Sequence, residues 1–133
     1  MTKIYNTLSD PEVPRGGTIR ESVGWEGVAP SGITHTFYLH SFYGAGTTME
    51  EILSQVVAHN YITSEILGPG QALVSEIDAP ITEDAPLGTF SCLTIIAEDF
   101  AGVLMYDSRI DVDVLTITPG LGATIMDVGF ASV

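Results

Sequence analysis

Apolar and polar side chains alternate along this chain in short runs, each closed by turn residues. The first run covers 18–25, where Ile19, Glu21, Val23 and Trp25 share one face and Arg20, Ser22 and Gly24 the other. Successive side chains of a strand point to opposite faces, so such alternation marks a half-buried strand. Three of the four residues on the first face are apolar, which predicts that face inward, with Glu21 near an edge. The turn "GVAPSG" leads into "ITHTFYLHSFY", in which Ile33, His35, Phe37 and Leu39 alternate with Thr34, Thr36, Tyr38 and His40. Its aromatic and β-branched content suits a pleated, half-buried surface. Further on, "ALVSEIDAPI" alternates as far as Pro80, and "RIDVDVLTI" sets Ile110, Val112 and Val114 against Asp111 and Asp113 before Pro119 ends it.

Two stretches depart from alternation. In "TTMEEILSQVVAHNY", Thr48 and Glu51 form a capping-box pattern, in which side chains satisfy the free backbone donors of a helix start. Ile52, Leu53, Val56 and Val57 then share one helical face, which predicts a helix of about three turns within 48–59. A strand is the competing reading of the same residues. "TFSCLTII" barely alternates, as expected of a strand shielded on both faces near its middle. It follows "EDAPLGTF", where Pro86 sets φ for a turn and Gly88 supplies a left-handed residue, so the chain can leave one sheet and enter the other. "AEDFAG" reads as the hairpin connection into "VLMYDS".

About seven short strands, frequent turns and at most one helix predict an all-β protein, an antiparallel β-sandwich rather than a parallel α/β sheet. A chain of 133 residues is one domain in size, and 45% apolar residues supply its core. The sandwich is placed at 1–118. Residues 119–133 are set apart as a C-terminal arm or edge strand, because Gly120 and Gly122 break the chain before the apolar "ATIMDVGFASV". Such a segment either completes its own sheet or reaches a neighbouring subunit. Ile125, Met126, Val128 and Phe130 are its candidate interaction residues.

Charge removes several partners. Four basic residues against seventeen acidic ones give a formal charge of −13. That surface repels phosphate backbones, so neither nucleic acid nor an anionic membrane is an expected partner. The opening "MTKIYNTLSD" has no apolar core or small-residue cleavage site, so no secretory signal is expected and synthesis is placed in the cytoplasm. No run approaches the ~18 apolar residues of a bilayer span. The single Cys92 excludes an internal disulfide, and its apolar setting predicts a buried thiol rather than a reactive one.

Catalytic signatures are lacking. No serine lies in G-x-S-x-G, and the glycines of "GAG" and "GPGQ" lack the lysine that phosphate binding uses. His35 and His40 are five apart on one strand, hence on opposite faces, and His59 reaches either only through tertiary placement. All three are expected to be structural, and no cofactor is expected. Asp99, Asp107, Asp111 and Asp113 are calcium candidates, since hard cations take six to eight oxygen ligands, although solvated surface acids are the plainer reading. Trp25, Tyr38 and Tyr43, with Phe42, could form an aromatic platform for sugar rings or equally a core edge.

The turn "DAPLGTF" at 84–90 resembles the "AP-x-GTY" turn that precedes a late core strand in bacterial and archaeal immunoglobulin-like domains, including the cell-adhesion-related CARDB type. "VPRGGTIRESVGW" at 13–25 is similar to the opening of those domains, and together the matches span about 13–117. The resemblance implies an immunoglobulin-like sandwich that works by contact. With no export signal expected, the leading expectation is a non-catalytic structural protein of a virus or phage particle (a decoration, minor capsid or tail protein). It would act as a homo-oligomer or dock on the particle surface by protein–protein contacts. The alternative is a carbohydrate-binding or adhesion module.

Overall fold

The computed structural model describes residues 4–27, 32–67, 70–98 and 105–119. In chain order the elements are β1 (Ile4–Leu8), β2 (Glu12–Pro14), β3 (Thr18–Gly27), β4 (Thr34–Gly44), α1 (Met49–Ser54), β5 (Val56–Leu67), β6 (Gln71–Pro80), β7 (Gly88–Ala97) and β8 (Met105–Thr118). They form two facing sheets, ordered β1-β3-β6 and β2-β8-β7-β4-β5. Every pairing is antiparallel except β2 with β8. With β3, β4, β7 and β8 in the places of strands B, C, F and G, this is an immunoglobulin-like sandwich.

Alternation in β3 carries Ile19, Glu21, Val23 and Trp25 into the space between the sheets, as expected. The placement of Glu21 near an edge is corrected. β3 is the middle strand of its sheet, paired with β6 from Thr18↔Pro80 to Gly27↔Gln71, and Glu21 is 0% exposed at its centre. β7 is buried throughout Phe90–Ala97 because its two faces meet different partners. Phe90, Cys92 and Ile96 pack between the sheets, whereas Leu93, Ile95 and Ala97 pack under α1 on the outside. That double cover explains the missing alternation.

The helix is shorter than the pattern suggested. Its start follows the capping box: the Glu51 N–H donates to Thr48 Oγ1 (3.2 Å), and Glu51 Oε1 accepts from the Thr48 hydroxyl (3.1 Å) and the Thr47 N–H (3.2 Å). After Ser54 the chain leaves helical geometry, and Val56 begins a twelve-residue strand paired with β4. β-Branched Val56 and Val57 gain more from that ladder than from a further helical turn. Ile52 anchors α1 in a third cluster with Leu93, Ile95 and Ala97, flanked by Phe42, Met49 and Ile110.

Three further differences have local causes. β1 and β2 are not among the expected strands, since strands of five and three residues split by Ser9-Asp10-Pro11 are too short to alternate visibly. Ile33 precedes β4 and is exposed rather than inward. In β8, Val112, Asp113 and Val114 stand opposite Ser91 alone, a bulge in which Asp113 takes φ +54°. The Asp113 N–H donates to Ser91 Oγ (3.2 Å), whose hydroxyl bonds the Gly46 carbonyl. The bulge breaks the expected Ile110/Val112/Val114 face: Val112 is exposed while Val114 packs on the inner core.

Candidate functional site

The centre of the sandwich is polar. In antibody domains a disulfide joins strands B and F across the sheets; here β3 and β7 meet through Glu21. Its Oε2 accepts from Thr94 Oγ1 (2.6 Å), Asn6 Nδ2 (2.5 Å) and Cys92 Sγ (3.4 Å). Burial, and then the Glu21 charge, push the Cys92 thiol well above its ordinary range, so it stays protonated and unreactive. Burial likewise raises the Tyr43 phenol, with Cys92 and Glu21 adding to it. A cleft of about 330 Å³ between β1 and β8 reaches Asn6 and is lined by Thr7, Leu8, Pro11, Asp111 and Val114. The sequence reading missed this cluster; its one signal was a glutamate on an otherwise apolar face.

The expected site residues are scattered. Trp25 (2% exposed) and Tyr43 (0%) are core, so the aromatic platform is corrected to the core-edge alternative. Trp25 Nε1 donates to Ser75 Oγ (3.0 Å) deep in the sandwich, while Tyr38 is half-buried on the outer face of the five-stranded sheet. Of the calcium candidates, Asp111 is held by Arg109 Nε (3.1 Å) and Asp107 Oδ1 accepts from the Ser108 N–H (2.8 Å). The bulge separates Asp113 from the face of Asp111, contrary to the expected pair. Among the described residues no three His, Cys, Asp or Glu side chains converge on a metal position. Asp99, Ile125, Met126, Val128 and Phe130 lie outside the described residues.

His35 and His40 take opposite faces as expected, but the β4–β5 register brings His59 to His40, which sequence spacing did not reveal. His40 Nδ1 and His59 Nε2 are 3.2 Å apart with ring planes within 9°. Phe42 stacks on His59 at 4.1 Å, and His40 lies beside Phe42 and Tyr61. These rings stack on one another on the outer face of the sheet, where His59 and Tyr61 stay exposed. Burial first, and His40 second, lower the His59 pKa below its ordinary 6.5. The unfolded chain therefore takes up a proton at higher pH than the folded one, so stability is full above about 6.5 and declines as pH falls through the folded value. Thermal melts should show the midpoint dropping between pH 7 and 5.5, with a smaller drop in His59→Gln. Equal drops in the two proteins would contradict the assignment.

One end of the sandwich, where β3, β5 and β7 finish and β4, β6 and β8 begin, offers a different arrangement. The Tyr106 hydroxyl lies 2.8 Å from His35 Nε2, and Glu98 Oε1 is 3.8 Å from the same nitrogen. Burial and the nearby Glu98 raise the Tyr106 phenol. The Tyr106 ring rests on Phe37 (5.1 Å, 51°) and against His35 (5.9 Å, 71°), and Phe37 meets Trp25 edge-on (5.3 Å, 61°). A run of rings thus leads from the core to a tyrosine that remains 44% exposed. Ile33 and Met105 are exposed at the same end. The part of His35, 71 residues away from Tyr106, was not foreseen.

No family model matches the chain, and no curated protein matches it. Among solved structures it is similar to a β-glucuronidase from glycoside hydrolase family 2, at 15% identity and a TM-score of 0.48. The likeness covers 82% of this chain and 10% of that one.

Proposed function

We propose that this chain is a non-catalytic contact module of immunoglobulin-like type that meets its partner at the end formed by Ile33, His35, Glu98, Met105 and Tyr106. The observation that carries this is Tyr106, fixed by contacts to His35 and Phe37 yet 44% exposed. Large exposed aromatic rings that cost no further ordering are what binding surfaces use. The same end holds the connections that, in antibody variable domains, include binding loops. The thiol of Cys92, by contrast, is sealed in the core. With the whole chain as bait in an extract of its source, partners retained by the native protein should be lost with Tyr106→Ala and kept with Val74→Ala, a change at an exposed position of the opposite sheet. Equal retention by both variants would reject the assignment, as would turnover in a broad hydrolase panel.

A second reading, assembly, is supported by the edge of β8. β2 pairs only with Thr116–Thr118, so among the described residues no strand lies beside Met105–Leu115 on that side. An uncovered edge accepts a further strand, and the Asp113 bulge limits where one can pair. On this reading the arm 119–133 of one copy lies along β8 of the next, and the protein is a decoration, minor capsid or tail component of a virus or phage particle. Sedimentation velocity should then find oligomers of the whole chain and a folded monomer after truncation at Thr118. A truncated chain that still assembles would reject it.

A further inference from the structure

We infer that the Tyr106 end is a binding site for a neutral saccharide, an assignment that rests on the contact-module reading and names its ligand. Three features point to this chemistry. First, the Tyr106 ring is held by contacts: its hydroxyl lies against His35 and the ring against Phe37, which is backed by Trp25. The outward side offers stacking area without a further entropy cost on binding. Second, planar polar groups border the ring. The His35 imidazole and Glu98 carboxylate lie within 3.8 Å of each other, both partly exposed, and can exchange hydrogen bonds with hydroxyls along a ligand's rim. Third, the charge selects against anions, since the chain carries −13 and the site itself holds Glu98.

A pyranose ring fits all three, with a flat face of C–H groups for the tyrosine and an edge of hydroxyls for the polar pair. A lysine or arginine side chain of a basic peptide is the main competitor, because cations also favour aromatic faces. The observations favour the sugar. Glu98 already lies against His35 and the Tyr106 hydroxyl, whose hydrogen bonding partly stabilises its charge before any cation arrives. The flanking Ile33 and Met105 are apolar.

The test is a panel of neutral gluco-, manno-, galacto- and xylo-oligosaccharides on an array. The strongest binder would then be titrated into the whole, isotope-labelled chain and followed by amide chemical shifts and calorimetry. The expected result is shifts centred on His35, Glu98 and Tyr106, with affinity falling at least tenfold in Tyr106→Ala, equivalent to about 1.4 kcal/mol. Tyr106→Phe, which keeps the ring, should lose less, and Glu98→Gln should weaken binding while leaving the melting temperature within a few degrees. Binding that ignores Tyr106→Ala overturns the assignment. So does a panel with no binder at millimolar sugar, or a polyarginine peptide that binds through Tyr106 where no sugar does. In those cases the pull-down still decides the contact reading separately, because loss of a retained partner with Tyr106→Ala would preserve that reading without the sugar.

Discussion

Replacing Glu21 by glutamine is expected to stabilise this protein, by about 1–2 kcal/mol and about 3–6 °C in melting temperature. The carboxyl group is 0% exposed, and among the described residues no Lys, Arg or His lies within ion-pair distance of it. Three buried oxygens of the cluster find no partner among the described residues: Glu21 Oε1, Asn6 Oδ1 and the Tyr43 hydroxyl. The first two are acceptors only, so the cluster is short of donors. Glutamine has the same shape and leaves no cavity. Its oxygen can keep the bond from Thr94, and its amide nitrogen becomes a donor where Glu21 had a second acceptor. The cost of holding a carboxylate away from water is removed at the same time. Glu21→Ala is a different experiment, because it opens a cavity and strands Asn6 and Thr94; a loss of about 3 kcal/mol is expected. Urea melts of the three proteins check both signs. A glutamine variant several degrees less stable than the native chain would mean that the charge-assisted bonds from Asn6 and Thr94 outweigh desolvation, and would sink this account.

What the sequence disclosed follows from which forces act locally. The faces of β3 and β4 were legible because Val23, Trp25, Phe37 and Leu39 recur with the period of the pleat and the core takes every one of them. The shielding of β7 was legible for the same reason, since nothing but apolar and small polar residues can occupy a strand covered on both sides. Residues 56–59 were not, because Val56 and Val57 satisfy a helical face and a strand equally well. The choice fell to β4, a partner that no local pattern contains. The Asp113 bulge has no glycine or proline to announce it; aspartate tolerates φ +54°, and that single residue parted the two carboxylates expected to act together. The bonds from Glu21 to Cys92 and Thr94 cross between the sheets and the His35–Tyr106 contact reaches from β4 to β8 within one sheet; each joins residues 71 or more positions apart, beyond the reach of spacing rules. Trp25 and Tyr43 fitted a core edge as the plainer reading and an aromatic platform as the alternative. Their positions on inward faces decided for the core, and the exposed aromatic role passed to Tyr106, at the start of β8.

Gly44→Ala should be among the most damaging single changes, costing about 3 kcal/mol and lowering the melting temperature by about 10 °C. Gly44 ends β4 where α1 folds back over the sheet. An added Cβ would lie 2.5 Å from the Ile52 carbonyl oxygen and 2.8 Å from that of Gln55. Both are backbone atoms, so no side chain can rotate away to make room. Relief requires lifting the end of α1, which draws Ile52 from its contacts with Leu93, Ile95 and Ala97 and disturbs the β4–β5 register where it already shifts, between Tyr43 and Gly44. Gly32 is the control. Its φ of +78° penalises any side chain, yet among the described residues nothing lies within 4 Å of the added carbon, so Gly32→Ala should cost only about 1 kcal/mol. The difference between the two variants in urea melts isolates the collision from backbone strain. A Gly44→Ala protein that melts with the Gly32→Ala control would show that α1 is not pinned against β4, and that the outer cluster holds the helix without this close approach.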